Sequence, residues 1–268
     1  MAAAARYLIR LVPHLWAIAL TCIMILPPRS ATHTAVSVEA VQFTIQSAYA
    51  EMRVGIDPSA PPFAAFSGES VVGFDVDLAR ALGALYGVPV RFVYLGYDGL
   101  YDALLTGQVD LLIASLTPDT NRLNRVIFTP PYFDAGIVLI APVERMIRSM
   151  ADVDGKQLAY AFGSNAHSEA NLWSRRLRTF QPMPYESAQY ALDAVRLGFA
   201  DAALVDAVSG RMYARQHPAW LHHTQSVYAL PYVIAVDADQ VGLAAAVTAA
   251  LERFQADGTL DALLHRWL

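Results

Sequence analysis

A fourteen-residue pattern occurs twice in the chain, as DALLTGQVDLLIAS at 102–115 and as DAVRLGFADAALVD at 193–206. The copies share four residues at equivalent places: Asp102, Ala103, Gly107 and Asp110 in the first, and Asp193, Ala194, Gly198 and Asp201 in the second. Each copy reads as the end of a helix, a turn at the glycine, and an apolar run typical of a buried parallel strand. The repeat therefore predicts two similar β-α-β units in an α/β fold.

The residues around the two copies follow the same order of elements. Ahead of the first copy, residues 52–56 predict a strand and residues 75–86 predict a helix that ends at Gly87. Asp98 is placed to cap the next helix. Ahead of the second copy, residues 157–162 predict the matching strand.

The remaining pattern completes the second unit and returns the chain to the first. Ser187 is placed to cap a helix whose inward face includes Tyr190 and Ala191. Near the end of the chain, residues 228–236 predict a strand and residues 241–255 predict an amphipathic helix.

Two such units predict two lobes, each with its own sheet. In open α/β sheets, ligands bind beyond the carboxyl ends of the strands. The two repeated strands end at Ser115 and Asp206, which are equivalent positions. If the lobes face each other, these two residues border one cleft. A single sheet built from duplicated units is the alternative that the pattern leaves open.

The composition limits the classes of function. An apolar content of 55% with 16% charged residues indicates a globular protein with a substantial core. A net charge of -5 and the lack of a basic run give no sign of nucleic-acid binding. His167, His222 and His223 are not spaced with acids as metal ligands are. We therefore expect no metal, no cofactor and no nucleic-acid partner.

The amino terminus differs from the rest of the chain. Its first ten residues carry two arginines and no acid, and an apolar stretch follows at 11–26. This pattern predicts a signal peptide, or else an uncleaved membrane anchor, at 1–30, with a linker at 31–50. The single cysteine, Cys22, lies inside this leader, so we expect the mature chain to contain no disulfide.

The first candidate site follows the first repeated strand, in the sequence ASLTPDTNR at 114–122. The strand ends in the hydroxyl residues Ser115 and Thr117, and Pro118 suits the start of a helix. Arg122 can bind a carboxylate with two parallel hydrogen bonds, which the hydroxyls and exposed N–H groups would supplement. An ordinary exposed arginine is the alternative interpretation.

The second candidate site belongs to the other unit. Asp206 ends the matching strand, where its carboxylate either binds an ammonium group or simply caps the next helix. Gly163, Ser164 and Asn165 precede a helix and offer N–H groups to an anion, although they are also common turn residues. Together with Arg122, these residues suggest a ligand with both charges on one small frame, which is the backbone of an α-amino acid.

Several separate motifs then resemble one family, the bacterial extracellular solute-binding proteins of family 3. They are RVGID at 53–57 with PPF at 61–63, GFDVDLA at 73–79, YDGL at 97–100, Thr117 with Arg122, FTPPY at 128–132 and ADGT at 256–259. They occur in the right order over about four fifths of the chain, so their combined signal is strong although each motif is modest. Within the second motif, GFD is expected to pack against and cap the first helix.

The resemblance implies a type II periplasmic-binding-protein fold, with two lobes joined by two crossover strands. Lobe 1 would be discontinuous, from residues 51–140 and 227–268, and lobe 2 would comprise residues 141–226. The family's members serve as periplasmic receptors of ABC importers. This implies a monomer without a cofactor that binds an amino acid and delivers it to a permease in the inner membrane.

The family's binding residues transfer to matching positions of this chain. Arg122 matches the arginine that binds the ligand carboxylate, and Ser115 and Thr117 match its supporting positions. Ser164 and Asn165 occupy the carboxylate loop of the second lobe.

The other matching positions concern the rest of the ligand. Asp206 matches the aspartate that binds the ammonium group. Asp57 matches an acid near the ligand side chain in some members, and Tyr97 matches an aromatic or apolar wall. Many members have an aromatic residue where this chain has Ala60, which leaves one wall of the side-chain pocket missing. The candidates to fill that space are a bulkier ligand, Phe63 and Phe66.

An enzyme on the same scaffold is the alternative function. Cyclohexadienyl dehydratases resemble these receptors but eliminate water and carbon dioxide from a cyclic acid, which requires a general acid. Asp57 or Asp206 would be that acid here. Those enzymes differ from this chain at the second-lobe site, where a glutamate serves in place of Asp206. The aspartate at position 206 therefore favours an ammonium ligand.

Overall fold

The computed structural model describes residues 45–46, 48–177 and 179–268. The predicted leader at 1–30, the cysteine within it and most of the predicted linker at 31–50 lie outside the described residues. In the ranges that are described, we find no helix with the length and apolar character needed to cross a membrane.

The first sheet holds the strands around the first repeat. Its members are β1 (Met52–Ile56), β5 (Val90–Tyr94), β6 (Leu111–Leu116), β7 (Val126–Phe128), β8 (Phe133–Asp134) and β14 (Pro231–Asp237). They lie in the order β5-β1-β6-β14-β7, and β8 pairs with β14. β1 is parallel to β5 and β6, whereas β14 is antiparallel to its neighbours.

The second sheet holds the strands around the second repeat. Its members are β9 (Ile137–Pro142), β10 (Gln157–Ala161), β11 (Gln181–Tyr185), β12 (Ala202–Asp206) and β13 (His222–Tyr228). They lie in the order β11-β10-β12-β9-β13, with β10 parallel to β11 and β12 and with β9 antiparallel to β12 and β13. Because the two repeats lie in separate sheets, the single-sheet alternative is wrong.

Helices flank both sheets, and a small three-stranded sheet follows β1. The small sheet contains β2 (Ser59–Ala60), β3 (Ala64–Ser67) and β4 (Ser70–Val72). The α-helices are α1 (Phe74–Tyr86), α2 (Leu100–Leu105), α3 (Asn165–Trp173), α4 (Ala188–Arg196), α5 (Ala207–Gln216), α6 (Val241–Ala256) and α7 (Thr259–Trp267). Short 3-10 helices occur at Tyr97–Gly99, Thr120–Arg122, Val143–Arg145 and Met150–Val153.

The shared aspartates of the repeat hold equivalent strand pairs together. The Asp110 carboxylate accepts a hydrogen bond of 2.7 Å from the backbone N–H of Arg53 in β1. At the equivalent place, the Asp201 carboxylate accepts one of 2.9 Å from the N–H of Gln157 in β10. Each aspartate thus ties the start of its own strand to the start of the neighbouring parallel strand.

The shared glycines end the helices that precede those strands. Gly107 and Gly198 have φ angles of 71° and 83°, in the left-handed region that glycine adopts at little cost. Their N–H groups donate to the carbonyl oxygens of Leu104 and Val195, at 3.0 and 3.1 Å. The repeat is therefore a structural unit of helix end, turn and strand, built twice.

Two segments cross between the sheets, one from β8 to β9 and one from β13 to β14. The Asp134 carboxylate joins them, since it accepts hydrogen bonds from the N–H groups of Gly136 (2.9 Å) and Leu230 (2.8 Å). Gly136 lies so close to the other crossing that a Cβ atom there would overlap the Tyr228 carbonyl. The predicted lobe limits at residues 140 and 227 fall near these crossings and stay a prediction.

Two details predicted for helices α2 and α4 are wrong. Tyr190 was expected to face inward, but its side chain is 54% exposed, whereas Ala191 is buried as expected. Asp98 does not cap α2, which begins after Gly99 without a side-chain cap. Ser187 does cap α4 as predicted, with its hydroxyl accepting the Tyr190 N–H at 3.2 Å.

Candidate functional site

Three of the predicted binding residues line one pocket of about 370 Å³. Tyr97, Thr117 and Arg122 form it together with Tyr101 and Asp119. The pocket lies where the chain leaves β6, because Thr117 directly follows that strand. The structure thus brings three of the predicted residues together at this strand end, and their role in binding stays a prediction.

Arg122 is held in place by its neighbours in this pocket. Its Nε donates to the Asp119 carboxylate at 3.0 Å, and its guanidinium lies 4.3 Å from the centre of the Tyr101 ring. Hydrogen bonds from the Asn121 N–H and from Arg122 lower the pKa of Asp119. Among the described residues, neither terminal nitrogen of Arg122 has a hydrogen-bond partner. One edge of a fixed guanidinium is thus available to an anion.

Ser115 lies half-buried near the end of β6, with an unusual backbone conformation. Its φ angle is 51°, in a region that costs a non-glycine residue roughly 1–2 kcal/mol. Its N–H donates at 2.8 Å to the carboxylate of Asp75. Asp75 was expected to serve the cap of α1. That helix instead begins after Gly73 without a side-chain cap, and Asp75 is fully buried against Ser115.

The predicted residues of the second unit lie at two helix starts. The Ser164 hydroxyl caps α3 by accepting the N–H of His167 at 3.2 Å, and Asn165 is exposed in the first turn. One Asp206 oxygen caps α5 by accepting the N–H of Ser209 at 2.8 Å. The capping interpretation of Asp206 is correct, yet its second oxygen has no such partner among the described residues.

Tyr232 lies near residues of both units, although the sequence pattern predicted only the strand to which it belongs. It lies in β14 of the first sheet, packed with ring centres 5.2 Å from Phe63. Burial raises the pKa of the Tyr232 phenol, and the negative charges of Asp75 and Asp206 raise it further. The Asp206 carboxylate therefore lies within electrostatic reach of this one side chain.

The residues expected around a ligand side chain lie in different environments. Asp57 is 8% exposed, and its carboxylate accepts the Ser59 N–H at 3.0 Å. Phe63 is only 3% exposed and belongs to the core, so it does not replace the aromatic wall that Ala60 lacks. Phe66 is 59% exposed and packs against Tyr94 with ring centres 5.5 Å apart.

The predicted residues do not all border the same cavity. Asp57, Ser115, Ser164, Asn165 and Asp206 are not part of the lining of the 370 Å³ pocket. A larger cavity of about 590 Å³ lies between α5, β9, β13 and α7, and none of the predicted residues lines it. Size alone is a poor guide here, because this cavity lies away from the strand ends where ligands bind in α/β sheets.

No group of three or more His, Cys, Asp or Glu side chains suited to a metal ion occurs within the described ranges. The chemistry available at the strand ends is instead that of fixed charges, hydroxyl groups and backbone N–H groups.

Comparisons with known proteins agree with this architecture. The chain is 26% identical over 232 residues to the ABC transporter arginine-binding protein 1 of Escherichia coli K12, covering 84% of this chain and 94% of that protein. The structure of a polar amino acid ABC uptake transporter substrate-binding protein from Streptococcus thermophilus matches with a TM-score of 0.73 at 20% identity, covering 88% of this chain and 92% of that one.

A third similarity is to an enzyme. The structure of an ancestral cyclohexadienyl dehydratase matches with a TM-score of 0.69 at 22% identity, covering 84% of this chain and 95% of that one. At this level of identity the two solved structures show the fold alone, which is the type II periplasmic-binding-protein fold. The family model for bacterial extracellular solute-binding proteins, family 3, matches residues 52–268. The chain thus belongs to the bacterial extracellular solute-binding proteins of family 3.

Proposed function

We propose that the protein binds an amino acid between its two sheets and delivers it to the permease of an ABC importer. The similarity to a protein named for arginine binding supports this ligand class. The observation that carries the proposal is the placement of opposite charges at equivalent strand ends. Arg122 follows β6 of one sheet, and Asp206 ends β12 of the other.

The carboxylate end of the ligand binds at Arg122. Because Asp119 uses only Nε, the terminal nitrogens are available for hydrogen bonds to carboxylate oxygens. Thr117 lines the same pocket and adds a hydroxyl donor. Ser164 and Asn165, at the start of α3, supply N–H groups and a favourable helix dipole from the opposite side when the lobes close.

The ammonium end binds at Asp206. One of its oxygens caps α5 and fixes the side chain, and the other accepts a hydrogen bond from the ammonium group. Closure follows as a shift of population, because the ligand touches both sheets only in the closed state. Asp134 and Gly136, where the two crossings meet, are the natural place for that rotation.

The side-chain end of the site favours a cationic or polar group. Asp57 places a carboxylate at the carboxyl end of β1, and Tyr97 exposes 55% of its surface at the rim of the pocket. Ala60 leaves room for a long side chain. L-Arginine is therefore the first probe, within a panel of the common amino acids.

Calorimetric titration of the purified protein with L-arginine tests the charge assignments. Arg122→Gln should lower affinity at least about 100-fold, since it removes a charged two-point contact worth several kcal/mol. Arg125→Gln is the matched control, because Arg125 is an exposed arginine three positions away, and it should leave affinity unchanged.

Asp206→Ser separates binding from helix capping. Serine is also a preferred capping residue, so α5 should keep its start while the carboxylate is lost. We expect unchanged thermal stability within a degree or two and a loss of affinity of about 100-fold or more. If Arg122→Gln and Asp206→Ser both bind every amino acid of the panel as tightly as the unmodified protein, the two-charge site is wrong.

We further propose that the site binds its ligand without chemistry. The absence of chemistry needs a direct test, because the ancestral cyclohexadienyl dehydratase has the same fold. Prephenate and arogenate should remain unchanged after incubation with the protein. Formation of phenylpyruvate or phenylalanine would establish the enzyme alternative, with Asp57 or Asp206 as the first candidates for its general acid.

Export to the periplasm and a monomeric state complete the proposal. The basic and apolar leader supports export. Cell fractionation together with mass spectrometry of the mature amino terminus distinguishes a cleaved signal peptide from a retained anchor.

A further inference from the structure

Strand β6 carries a bulge at the place where Ser115 lies. β6 pairs with β14 through Leu112 opposite Ala235 and through Leu116 opposite Val233, so residues 113–115 face Ile234 alone. Bulges of this kind redirect side chains and often lie beside functional sites. They also leave backbone N–H groups without a partner in the sheet.

Two side chains accept hydrogen bonds from N–H groups that lose their sheet partners at the bulge. The Thr129 hydroxyl accepts the N–H of Ile234 at 3.0 Å. Asp75 does the same for Ser115, since its Oδ2 accepts the Ser115 N–H at 2.8 Å and the Ser115 hydroxyl at 3.2 Å. The Tyr132 hydroxyl also accepts a hydrogen bond from the Ser115 N–H, at 3.2 Å.

The carboxylate of Asp75 is unusual in its burial. The residue is 0% exposed, and its second oxygen, Oδ1, has no hydrogen-bond partner among the described residues. A buried carboxylate with one unpaired oxygen costs folding free energy, so its other contacts must compensate. Its other oxygen, Oδ2, accepts both hydrogen bonds from Ser115.

We propose that Asp75 is a positioning residue for the ligand site, whose carboxylate holds Ser115 in its left-handed conformation and fixes the orientation of the Ser115 hydroxyl. The inference rests on the proposed amino acid site. With its hydrogen donated to Asp75, the Ser115 hydroxyl presents only acceptor lone pairs, so it suits the ammonium group of the ligand and not the carboxylate that was expected from the sequence. A neutral Asp75 accepts hydrogen bonds more weakly, so Ser115 is then held less firmly.

The charge state of Asp75 changes within an accessible range of pH. Burial raises the pKa of Asp75 from 3.8 to about 6, although the Tyr132 hydroxyl and the hydrogen bonds from Ser115 act in the opposite direction. The phenols of Tyr132 and Tyr232 face it from the adjoining elements, and burial raises the pKa of both. On its own helix, Asp77 pairs with Arg80. Within the described ranges, Asp75 itself forms no salt bridge.

A ligand-free measurement tests the positioning role. In ¹⁵N NMR spectra of the full chain, the amide signal of Ser115 should shift with a midpoint near pH 6 as Asp75 titrates. The Asp75→Asn variant keeps an acceptor oxygen without a charge, so its Ser115 signal should not titrate in that range. A Ser115 signal that is insensitive to pH in the unmodified protein overturns the proposal.

Affinity measurements test the consequence for binding. If L-arginine binds the ionised form, the affinity of the unmodified protein should fall about tenfold from about pH 8 to about pH 5. The affinity of the Asp75→Asn variant should vary little over the same pH range. Thr129→Val is the matched control. It removes the other acceptor of the same bulge and should lower stability, yet it should retain the tenfold pH effect.

The outcomes separate this inference from the proposed function. If the unmodified protein binds no amino acid, the proposed function fails, and the NMR titration alone decides whether Asp75 positions Ser115. If L-arginine binds and Asp75→Asn shows the same pH effect as the unmodified protein, the coupling to Asp75 is wrong. Loss of the pH effect in Thr129→Val would also contradict it, because a general weakening of the bulge would then be the cause.

Discussion

Replacing Asp75 with asparagine should change how the stability of the protein depends on pH. In the folded protein, burial raises the pKa of Asp75 from 3.8 to about 6. The folded state therefore binds a proton more tightly than the unfolded state does. Asp75 contributes its stabilising effect fully below about pH 3.8, and that effect is lost as the pH rises through about 6.

The size of this effect follows from the difference in pKa. A shift from 3.8 to about 6 corresponds to about 3 kcal/mol over the full titration. Between about pH 4.5 and about pH 8, roughly 2 kcal/mol of that change remains measurable. The Asp75→Asn variant lacks the titrating group, so its stability relative to the unmodified protein should rise by roughly 2 kcal/mol over this range.

Urea unfolding at several pH values measures the difference directly. Several other carboxyl groups have a lowered pKa and act in the opposite direction, among them Asp119, Asp152, Asp193 and Asp257. They are present in both proteins and cancel in the comparison. If the difference in unfolding free energy between variant and unmodified protein stays constant over the pH range, the burial argument for Asp75 is refuted.

Other substitutions test the crossings, a helix cap and the core. Gly136→Ala should lower the free energy of unfolding by about 1–3 kcal/mol, because the new methyl group overlaps the Tyr228 carbonyl, and calorimetry should show the lower melting temperature. Ser187→Ala should cost about 1 kcal/mol in urea unfolding through loss of the cap of α4. Leu139→Ala should cost about 2–5 kcal/mol, since Leu139 is 2% exposed, whereas Leu197→Ala, at a 58% exposed position, should change stability by less than about 0.5 kcal/mol. Equal losses at the two leucines would contradict the assignment of the core.

The repeat explains why much of the fold could be predicted from local sequence. Gly107 and Gly198 act through their own backbone conformation, and Asp110 and Asp201 act on the strand beside them. Such features depend on residue type and short spacing, which a sequence displays. The placement of Arg122 just beyond one strand end, and of Asp206 at the other, was predictable for the same reason.

The rest depends on contacts between distant segments. The bulge at Ser115 arises from pairing with β14, more than a hundred residues later in the chain, and no local pattern announces it. The sequence pattern therefore predicted that Asp75 caps a helix, whereas in the structure its carboxylate accepts the Ser115 N–H at the bulge. Tyr232 acquires its position near Asp206 only when the second crossing returns the chain to the first sheet. Tyr190 lies at the edge of the apolar face that the helical spacing predicted, and the structure shows that this edge is exposed.

A crystal structure grown with the amino acid that binds most tightly would test the central proposal most directly. We predict one ligand between the two sheets, with its carboxylate within about 3 Å of Arg122 and its ammonium group within about 3 Å of Asp206. A ligand bound instead in the 590 Å³ cavity between α5 and α7, or touching only one of these two side chains, would contradict it.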